Sequence, residues 1–217
     1  MRWILVVSAL IALTLALFAL WPGVDLAVAH FFYDRGGFAG RDGLERFGRD
    51  FFRIAPFVVL AAYVALYALR RAGVAVLWAP TGLGVIFLIA TIAIGPGLIV
   101  NVGLKDHAHR PRPIHVIEFG GTDEFRPWYR FDGACKNNCS FVSGEAATGF
   151  WMTAPALLLP PPARAPALAF AFLFGAGASL LRLAFGGHFL SDVLLGGLIT
   201  LWIIAVARRL LWPRGGP

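Results

Sequence analysis

Long uncharged apolar stretches recur along this chain, and they constrain its fold more than any other feature. A helix needs about 20 predominantly apolar residues to cross the hydrocarbon core of a bilayer. The sequence predicts six such helices, of which the fourth and fifth are short. They lie at about Trp3–Trp21, Ile54–Leu69, Leu83–Leu104, Ala146–Leu159, Ala165–Leu181 and Phe189–Leu211. We therefore expect an all-α fold, a polytopic membrane bundle of six transmembrane helices that forms a single domain over residues 1–217.

Composition favours a membrane protein over a soluble nucleic-acid binder. Hydrophobic residues make up 59% of the chain and charged residues only 14%, whereas a soluble domain carries about 25% charged residues. A net charge of +7 would suggest a nucleic-acid partner in a soluble protein. In a membrane protein, the distribution of positive charges matters more than their sum. The expected partners are therefore the lipid bilayer and a membrane lipid, and no nucleic acid.

The arginines indicate how the bundle is oriented. Six spans place both termini on one side, and that side carries seven arginines and no acidic residue: Arg2, Arg70, Arg71, Arg164, Arg208, Arg209 and Arg214. Because cytoplasmic loops are enriched in Lys and Arg, we expect both termini in the cytoplasm and the chain in a bacterial inner membrane. The two large loops, Pro22–Arg53 and Lys105–Glu145, then face the periplasm. Alternatively, the first stretch is a signal peptide cleaved near Ala27–Ala29, which leaves the later loops on the same side.

Residues suited to catalysis concentrate in three clusters, all at the outer ends of predicted helices. The first cluster is Lys105–Pro113, the second is Ser143–Glu145, and the third comprises Arg182, His188 and Asp192. Packing of the helices in one bundle would bring the three clusters together. Ionisable residues in such places mark functional sites, although single ones also snorkel to the membrane interface.

His188 and Asp192 have the spacing of a nucleophile and its orienting carboxylate. Residues four apart share one face of a helix, so Asp192 can accept a hydrogen bond from one ring nitrogen of His188. That bond would fix the tautomer and leave the other nitrogen free to attack. A contact that merely caps the helix is the alternative for this pair.

Three cations and one helix N-terminus are suited to binding a phosphate dianion. Lys105, Arg112 and Arg182 converge on one rim, and the Arg-Pro pairs make the first cluster stiff. The Ser143–Gly144 pair adds a good N-cap and a backbone that an anion can approach closely. A basic rim that faces lipid headgroups is the alternative for Arg110 and Arg112.

The order and spacing of these residues resemble the membrane type 2 phosphatidic acid phosphatases, which share a core with vanadium haloperoxidases. Lys105 is followed after six residues by Arg112 and a proline, and a Ser-Gly pair stands at 143–144. Arg182, His188 and Asp192 then follow with the spacing of the family's third motif. The resemblance covers about residues 83–211.

This resemblance implies a metal-independent phosphatase that needs no cofactor. His188 would attack phosphorus and become a phosphohistidine, Asp192 would orient it, and water would hydrolyse the intermediate. The phosphate oxygens would be held by four side chains and one backbone amide, from Lys105, Arg112, Arg182, Ser143 and Gly144. A metal cage built from His107, His109 and His115 is not expected.

One position departs from the family pattern, which has a histidine where this chain has Glu145. The resemblance implies that this histidine protonates the leaving oxygen. A glutamate at a helix N-terminus near cations favours the ionised form, which cannot donate a proton. Three interpretations stay open: Glu145 becomes protonated in the substrate complex, His107 or His109 is the acid, or the leaving group needs little help. The last would favour lipid A or a prenyl diphosphate over phosphatidic acid.

The sequence thus predicts an enzyme that hydrolyses a phosphomonoester or pyrophosphate of a membrane lipid at the periplasmic face. The candidate substrates are lipid A, phosphatidylglycerophosphate, undecaprenyl diphosphate and phosphatidic acid, and the chain looks similar to a lipid A phosphatase subgroup. The alternatives are phosphotransfer between lipids and non-catalytic binding of an anion or lipid. Cys135 and Cys139 would form a small disulfide in an oxidising compartment, with free thiols or a metal pair as the alternatives.

Overall fold

The computed structural model describes residues 1–34, 37–38, 43–105 and 107–213, with the backbone alone at 43–45. Asp106 of the first cluster and Arg214, one of the arginines that indicate the orientation, lie outside the described residues. Within them, eight α-helices follow one another: α1 (Arg2–Leu20), α2 (Gly23–Phe31), α3 (Gly43–Arg71), α4 (Gly82–Ile92), α5 (Gly144–Trp151), α6 (Thr153–Leu158), α7 (Pro161–Ala184) and α8 (Leu190–Leu211). The shorter elements are strands β1 (Tyr33–Asp34) and β2 (Gly37–Phe38), which pair antiparallel, a π-helix (Ala93–Leu104) that continues α4, and 3₁₀ turns at Pro113–His115 and Ile117–Phe119.

Among the described residues, five helices are long and apolar enough to cross a membrane. They are α1, Arg46–Arg71 of α3, α4 with its π-helical continuation, α7 and α8. These helices confirm a mostly helical, multi-pass chain and agree with five of the six predicted spans. Helix α3 begins well before the predicted Ile54, and α7 extends beyond Ala165–Leu181 at both ends. The count of six spans stays a prediction.

The fourth predicted span, Ala146–Leu159, is formed by α5 and α6, which break at Met152. Pro155 explains the break, because proline lacks an amide donor and its ring clashes with the carbonyl four positions earlier, that of Trp151. At 1.5 Å per residue, residues 144–158 rise about 22 Å, which is less than the ~30 Å of a hydrocarbon core. Together, α5 and α6 are therefore shorter than a helix that spans the membrane.

Helix α5 lies inside the bundle, packed against α7 and α8. Trp151 at its end is fully buried in an apolar cluster with Phe87, Leu88, Ile92, Ala154, Leu158 and Ile204. The Trp151 indole donates to the Thr91 hydroxyl at 3.0 Å, which satisfies the one polar group that the ring buries. Because α5 is enclosed in this way, its N-terminus is held beside the end of α7 and the start of α8.

The segment between the π-helix and α5 folds over this end of the bundle. Its 3₁₀ turns share an apolar core with α2, β2 and the start of α8, made of Ala29, Phe38, Val116, Phe119 and Phe189. The Trp128 indole donates to the Leu15 carbonyl of α1 at 3.1 Å, so this ring ties the segment to the bundle. Cys135 and Cys139 form a disulfide. The segment is therefore an ordered cover over the helix ends.

Candidate active site

The third sequence cluster lies where α7 ends and α8 begins, and the first cluster approaches it from the covering segment. Arg182 is in the last turn of α7, His188 follows that helix, and Asp192 is in the first turn of α8. Lys105 ends the π-helix and Arg112 lies in the covering segment, and the charges of both act on His188. The fold thus brings these five residues of two distant clusters together.

His188 is buried, with 2% of its surface exposed, and the backbone fixes the orientation of its ring. Its Nδ1 atom lies 2.7 Å from the Ser140 carbonyl oxygen. Because a carbonyl oxygen can only accept, Nδ1 carries the hydrogen and Nε2 keeps its lone pair. Burial lowers the pKa of His188 well below its usual 6.5, and the nearby cations, of which Arg182 contributes most, lower it further. The ring is therefore neutral near pH 7, which is the nucleophilic form.

The predicted direct hydrogen bond between His188 and Asp192 is not made. Asp192 Oδ2 lies 3.9 Å from Nδ1, which is beyond hydrogen-bond distance, because the Ser140 carbonyl takes that position. Asp192 accepts instead from the Ser140 hydroxyl at 2.5 Å and from the Phe189 amide at 2.8 Å. Asp192 therefore acts on His188 through Ser140 and through its charge, and it also caps α8.

A group of buried polar residues surrounds Asp192. Arg110 donates to Asp192 Oδ1 at 2.6 Å and to Asp25 Oδ2 at 2.7 Å, and all three side chains are at most 2% exposed. The Ser191 hydroxyl donates to Asp25 at 2.6 Å. We name Asp25, Arg110, Ser140, Ser191 and Asp192 the buried network. The interpretation of Arg110 as part of a rim facing lipid headgroups is therefore wrong.

One signal in the sequence points to this network. Asp25 stands in an otherwise apolar stretch, where an ionisable side chain needs a partner. The repeated Arg-Pro pair gives no indication that Arg110 is buried and Arg112 is more open. In the structure, the Arg110 guanidinium lies over the Phe189 ring at 4.5 Å, and this packing against the start of α8 cannot be seen from local sequence.

Two of the predicted phosphate-binding cations are held in different ways. Arg182 is 4% exposed, and Gly187 makes room for it, since a Cβ atom at 187 would lie 2.2 Å from its guanidinium. Arg112 donates to the Asn138 carbonyl at 2.8 Å and to the Asn138 side-chain oxygen at 2.9 Å. Asn138 lies within the loop that the disulfide closes. Arg182 is thus fixed by packing, whereas the position of Arg112 depends on a surface loop.

The N-terminus of α5 has the form of an anion-binding helix end. Ser143 Oγ accepts from a backbone amide one turn into the helix at 3.3 Å, and the Ser143 amide donates to the Asp192 carbonyl at 3.0 Å. A Cβ atom on Gly144 would lie 2.6 Å from Asn101 Oδ1, and the same oxygen lies 3.5 Å from Lys105 Nζ. The first amides of a helix have no acceptor within it and attract anions. Close packing of Asn101 is a second reason for glycine at this position.

Glu145 makes ion pairs with two arginines. Its Oε1 atom accepts from Arg49 Nε at 3.0 Å and from Arg49 Nη2 at 2.9 Å, and its Oε2 atom lies 3.5 Å from Arg182 Nε. We name Arg49, Glu145 and Arg182 the clamp. Arg49 lies on α3, outside the three clusters, and nothing in its sequence surroundings marks it as part of a site. Both carboxylate oxygens of Glu145 thus face guanidinium groups, and its Oε1 atom acts as a hydrogen-bond acceptor in this arrangement.

The two histidines considered as alternative acids each contact a backbone carbonyl oxygen. His107 is exposed, and its Nδ1 atom lies 3.0 Å from the Gly103 carbonyl. His109 is half-buried, and its Nδ1 atom lies 2.9 Å from the Cys135 carbonyl. Among the residues that the structure describes, no three His, Cys, Asp or Glu side chains group as a metal site. The expectation of metal-independent catalysis stays a prediction.

Sequence comparisons relate the chain to a protein family and to three curated proteins. The PAP2 superfamily model matches residues 84–215. A lipid A 4′-phosphatase of Francisella tularensis subsp. novicida (strain U112) is 34% identical over 194 residues, which cover 86% of this chain and 87% of that protein. Lipid A 4′-phosphatases of Rhizobium leguminosarum and Rhizobium etli are each 35% identical, over 90% of this chain and over 91% and 82% of their own lengths. No solved structure matches the chain.

Proposed function

The chain belongs to the PAP2 superfamily, and from this premise we propose that it removes a phosphate from lipid A through a phosphohistidine formed at His188. It is a membrane phosphatase that acts on lipid phosphates. The observation that carries the proposed mechanism is the hydrogen bond from His188 Nδ1 to the Ser140 carbonyl. That bond, together with burial, leaves a neutral ring whose Nε2 lone pair is available for attack.

In the first step, Nε2 of His188 forms a bond to phosphorus while the bond from phosphorus to the lipid oxygen breaks. The ring becomes cationic, and the Ser140 carbonyl and the Asp192 charge, 3.9 Å from Nδ1, stabilise it. The charge on the phosphoryl oxygens is neutralised by groups around the site, namely the side chains of Lys105, Arg112, Arg182 and Ser143 and the backbone amide of Gly144. In the second step, water attacks phosphorus, the bond to Nε2 breaks, and inorganic phosphate leaves.

The leaving lipid oxygen needs a proton, and we assign this role to Glu145 in the substrate complex. A phosphate bound at Arg182 takes one ionic partner from Glu145 and brings two negative charges near it, and both effects favour the protonated carboxyl. A 4′-phosphate is attached to a non-anomeric carbon, so its alkoxide is a poor leaving group and acid assistance matters. The argument that a good leaving group replaces the acid therefore does not apply to such a substrate. His107 and His109 are the alternative acids.

Similarity to three lipid A 4′-phosphatases supports lipid A over the other candidate lipids. We place the site at the periplasmic face of the inner membrane, with both termini in the cytoplasm. The last turns of α3 and α8 carry arginine pairs, Arg70–Arg71 and Arg208–Arg209, and both turns lie away from His188. Such pairs favour the cytoplasmic side. Phosphatidylglycerophosphate, undecaprenyl diphosphate and phosphatidic acid then serve as the comparison substrates.

The test measures phosphate release from each of these four lipids by the purified full chain in mixed micelles. We expect the highest kcat/KM with lipid A, a loss of at least about 1,000-fold in His188→Ala, and a lower kcat in Glu145→Gln. Release that survives His188→Ala would overturn the mechanism, and a clear preference for another lipid would overturn the substrate. Labelled phosphate that appears on a second lipid, and not in solution, would favour phosphotransfer.

A further inference from the structure

Arg49 lies outside the three family motifs, yet its guanidinium reaches the site. It projects from α3 and gives two hydrogen bonds to a single oxygen of Glu145. Their side chains are 41% and 18% exposed, so the pair lies at the open edge of the site. Burial lowers the pKa of Arg112, Glu145 opposes this, and Arg49 adds to it. Arg49 is therefore close enough to influence a residue that we assign to phosphate binding.

Arg182 has a donor that no group in the described part of the chain satisfies. Its Nε atom is buried and, among the described residues, has no hydrogen-bond partner, although Glu145 Oε2 lies 3.5 Å away. A buried N–H without an acceptor is unfavourable, so an incoming oxygen would bind there strongly. Glu145 stops short of this donor while its other oxygen is bonded to Arg49.

We propose that Arg49 is a positioning residue, which holds the Glu145 carboxylate back from Arg182 and so keeps Arg182 open to the phosphate of the substrate. The inference rests on the proposed function, because it concerns the same phosphate site. A carboxylate and a phosphate oxygen are both acceptors for the same N–H group. Without Arg49, Glu145 has Arg182 as its remaining partner in the clamp and competes with the substrate. Loss of Arg49 should therefore weaken substrate binding more than it slows phosphoryl transfer.

Helix α3 carries a matched control one turn further along. Arg53 Nη2 lies 3.0 Å from Asp50 Oδ1 on the same helix, and the two side chains are 56% and 55% exposed. Replacement of Arg53 removes the same charge from the same helix but leaves the clamp unchanged. Arg53→Met therefore measures the general effect of losing a surface cation, and we expect it to match the wild type in both kcat and KM.

The test compares kcat and KM for phosphate release from lipid A by the purified full chain in mixed micelles. Arg49→Met should raise KM about tenfold, the size expected when one charge-assisted contact is lost, with kcat within about threefold of the wild type. Arg49→Lys keeps the charge but not the two-donor geometry, so its KM should lie between those of the wild type and Arg49→Met. A KM in Arg49→Met equal to that of Arg53→Met would overturn the proposal.

A double variant separates positioning from direct contact with the substrate. Glu145→Gln removes the competing charge, so adding Arg49→Met to it should change KM by less than about twofold. A tenfold rise in KM in both backgrounds would mean that Arg49 binds the substrate itself, and the proposal would be wrong. Activity that survives His188→Ala counts against the proposed function instead, and no variant of Arg49 can produce that result.

Discussion

The buried network and the clamp both contact residues of the phosphate site, the first through Ser140 and His188 and the second through Arg182, yet they differ in burial and in bonding. Asp25, Arg110 and Asp192 are at most 2% exposed. In the clamp, Arg49 is 41% exposed. The second ion pair of the clamp, between Arg182 and Glu145, is long at 3.5 Å. A nucleophile needs one geometry for every turnover, which a buried network can fix. A group that must change partners when substrate binds needs an open and adjustable place.

The largest effect should come from breaking the buried network at its only described cation. Arg110→Leu leaves the buried carboxylates of Asp25 and Asp192 without their shared partner, and removing one member of a buried ion pair costs about 3–5 kcal/mol. We expect a clear drop in Tm and loss of phosphatase activity. Thermal unfolding of the detergent-solubilised chain, together with phosphate release, measures both effects.

Arg130→Leu is the matched control for this variant. Arg130 pairs with Asp132 on the surface, and their side chains are 53% and 51% exposed, so loss of the pair should leave Tm unchanged. Equal Tm values for Arg110→Leu and Arg130→Leu would break the comparison, since the buried network would then contribute no more than a surface pair.

The next largest effect is expected in the pH dependence of kcat/KM, which tests how the charges around the nucleophile set its protonation. Burial and the nearby cations hold the pKa of His188 well below its usual 6.5, so the ring stays neutral, and active, as the pH falls through 6.5. Arg112→Met removes one of those cations, which should raise the pKa of His188 and move the acidic limb of the profile to higher pH. Ionisation of the substrate phosphate affects wild type and variant equally, so the difference between the profiles isolates His188. An unshifted or oppositely shifted limb would contradict the assignment.

Sequence reasoning could identify residues whose chemistry and spacing are local. Lys105, Arg182 and His188 stand at the ends of apolar stretches, and the hydrophobic pattern alone indicates that such ends meet in a bundle. Sequence reasoning could not identify Arg49 as a site residue, because an arginine near a membrane interface usually snorkels. Sequence reasoning also misjudged the partner of His188, since the four-residue spacing to Asp192 does not show that the Ser140 carbonyl accepts the hydrogen bond from Nδ1.

The helices show the same contrast between what a local sequence pattern predicts and what tertiary packing decides. The long apolar runs predicted α1, α7 and α8, because length and hydropathy suffice for a spanning helix. They could not fix the form of the fourth stretch, where Pro155 divides the helix and the surrounding bundle encloses both parts. Tertiary burial, which holds Trp151 inside the bundle, has no counterpart in a local pattern.

A smaller effect should follow from removing only the side chain of Ser140. Ser140→Ala deletes the hydroxyl that donates to Asp192 at 2.5 Å but keeps the carbonyl that accepts from His188. One lost hydrogen bond to a charged group should lower kcat about tenfold, with KM unchanged, because the hydroxyl is buried and its hydrogen is given to Asp192. A loss as large as that of His188→Ala would show that the hydroxyl, and not the carbonyl, fixes the ring.

The smallest effect should come from removal of the disulfide. This change sharpens the comparison, because the loop that the disulfide closes holds Arg112, a cation on the open side of the site. Asn138, between the two cysteines, accepts both hydrogen bonds of Arg112 described above. The closed loop is short, so its loss should lower the free energy of unfolding by no more than about 2 kcal/mol. The paired change Cys135→Ser and Cys139→Ser should loosen Arg112 and raise KM about two- to fivefold, with a modest fall in Tm and kcat nearly unchanged.

Reduction of the wild-type chain gives an independent measurement of the same contact. Dithiothreitol should raise KM for the wild type by the same factor and leave the Cys135→Ser, Cys139→Ser variant unchanged, because that variant has no disulfide to reduce. A fall in kcat with constant KM would mean that the loop acts on the nucleophile. The division between a buried network that sets the rate and an open edge that sets binding would then not hold, because a surface loop would govern a step that this division assigns to Ser140 and His188.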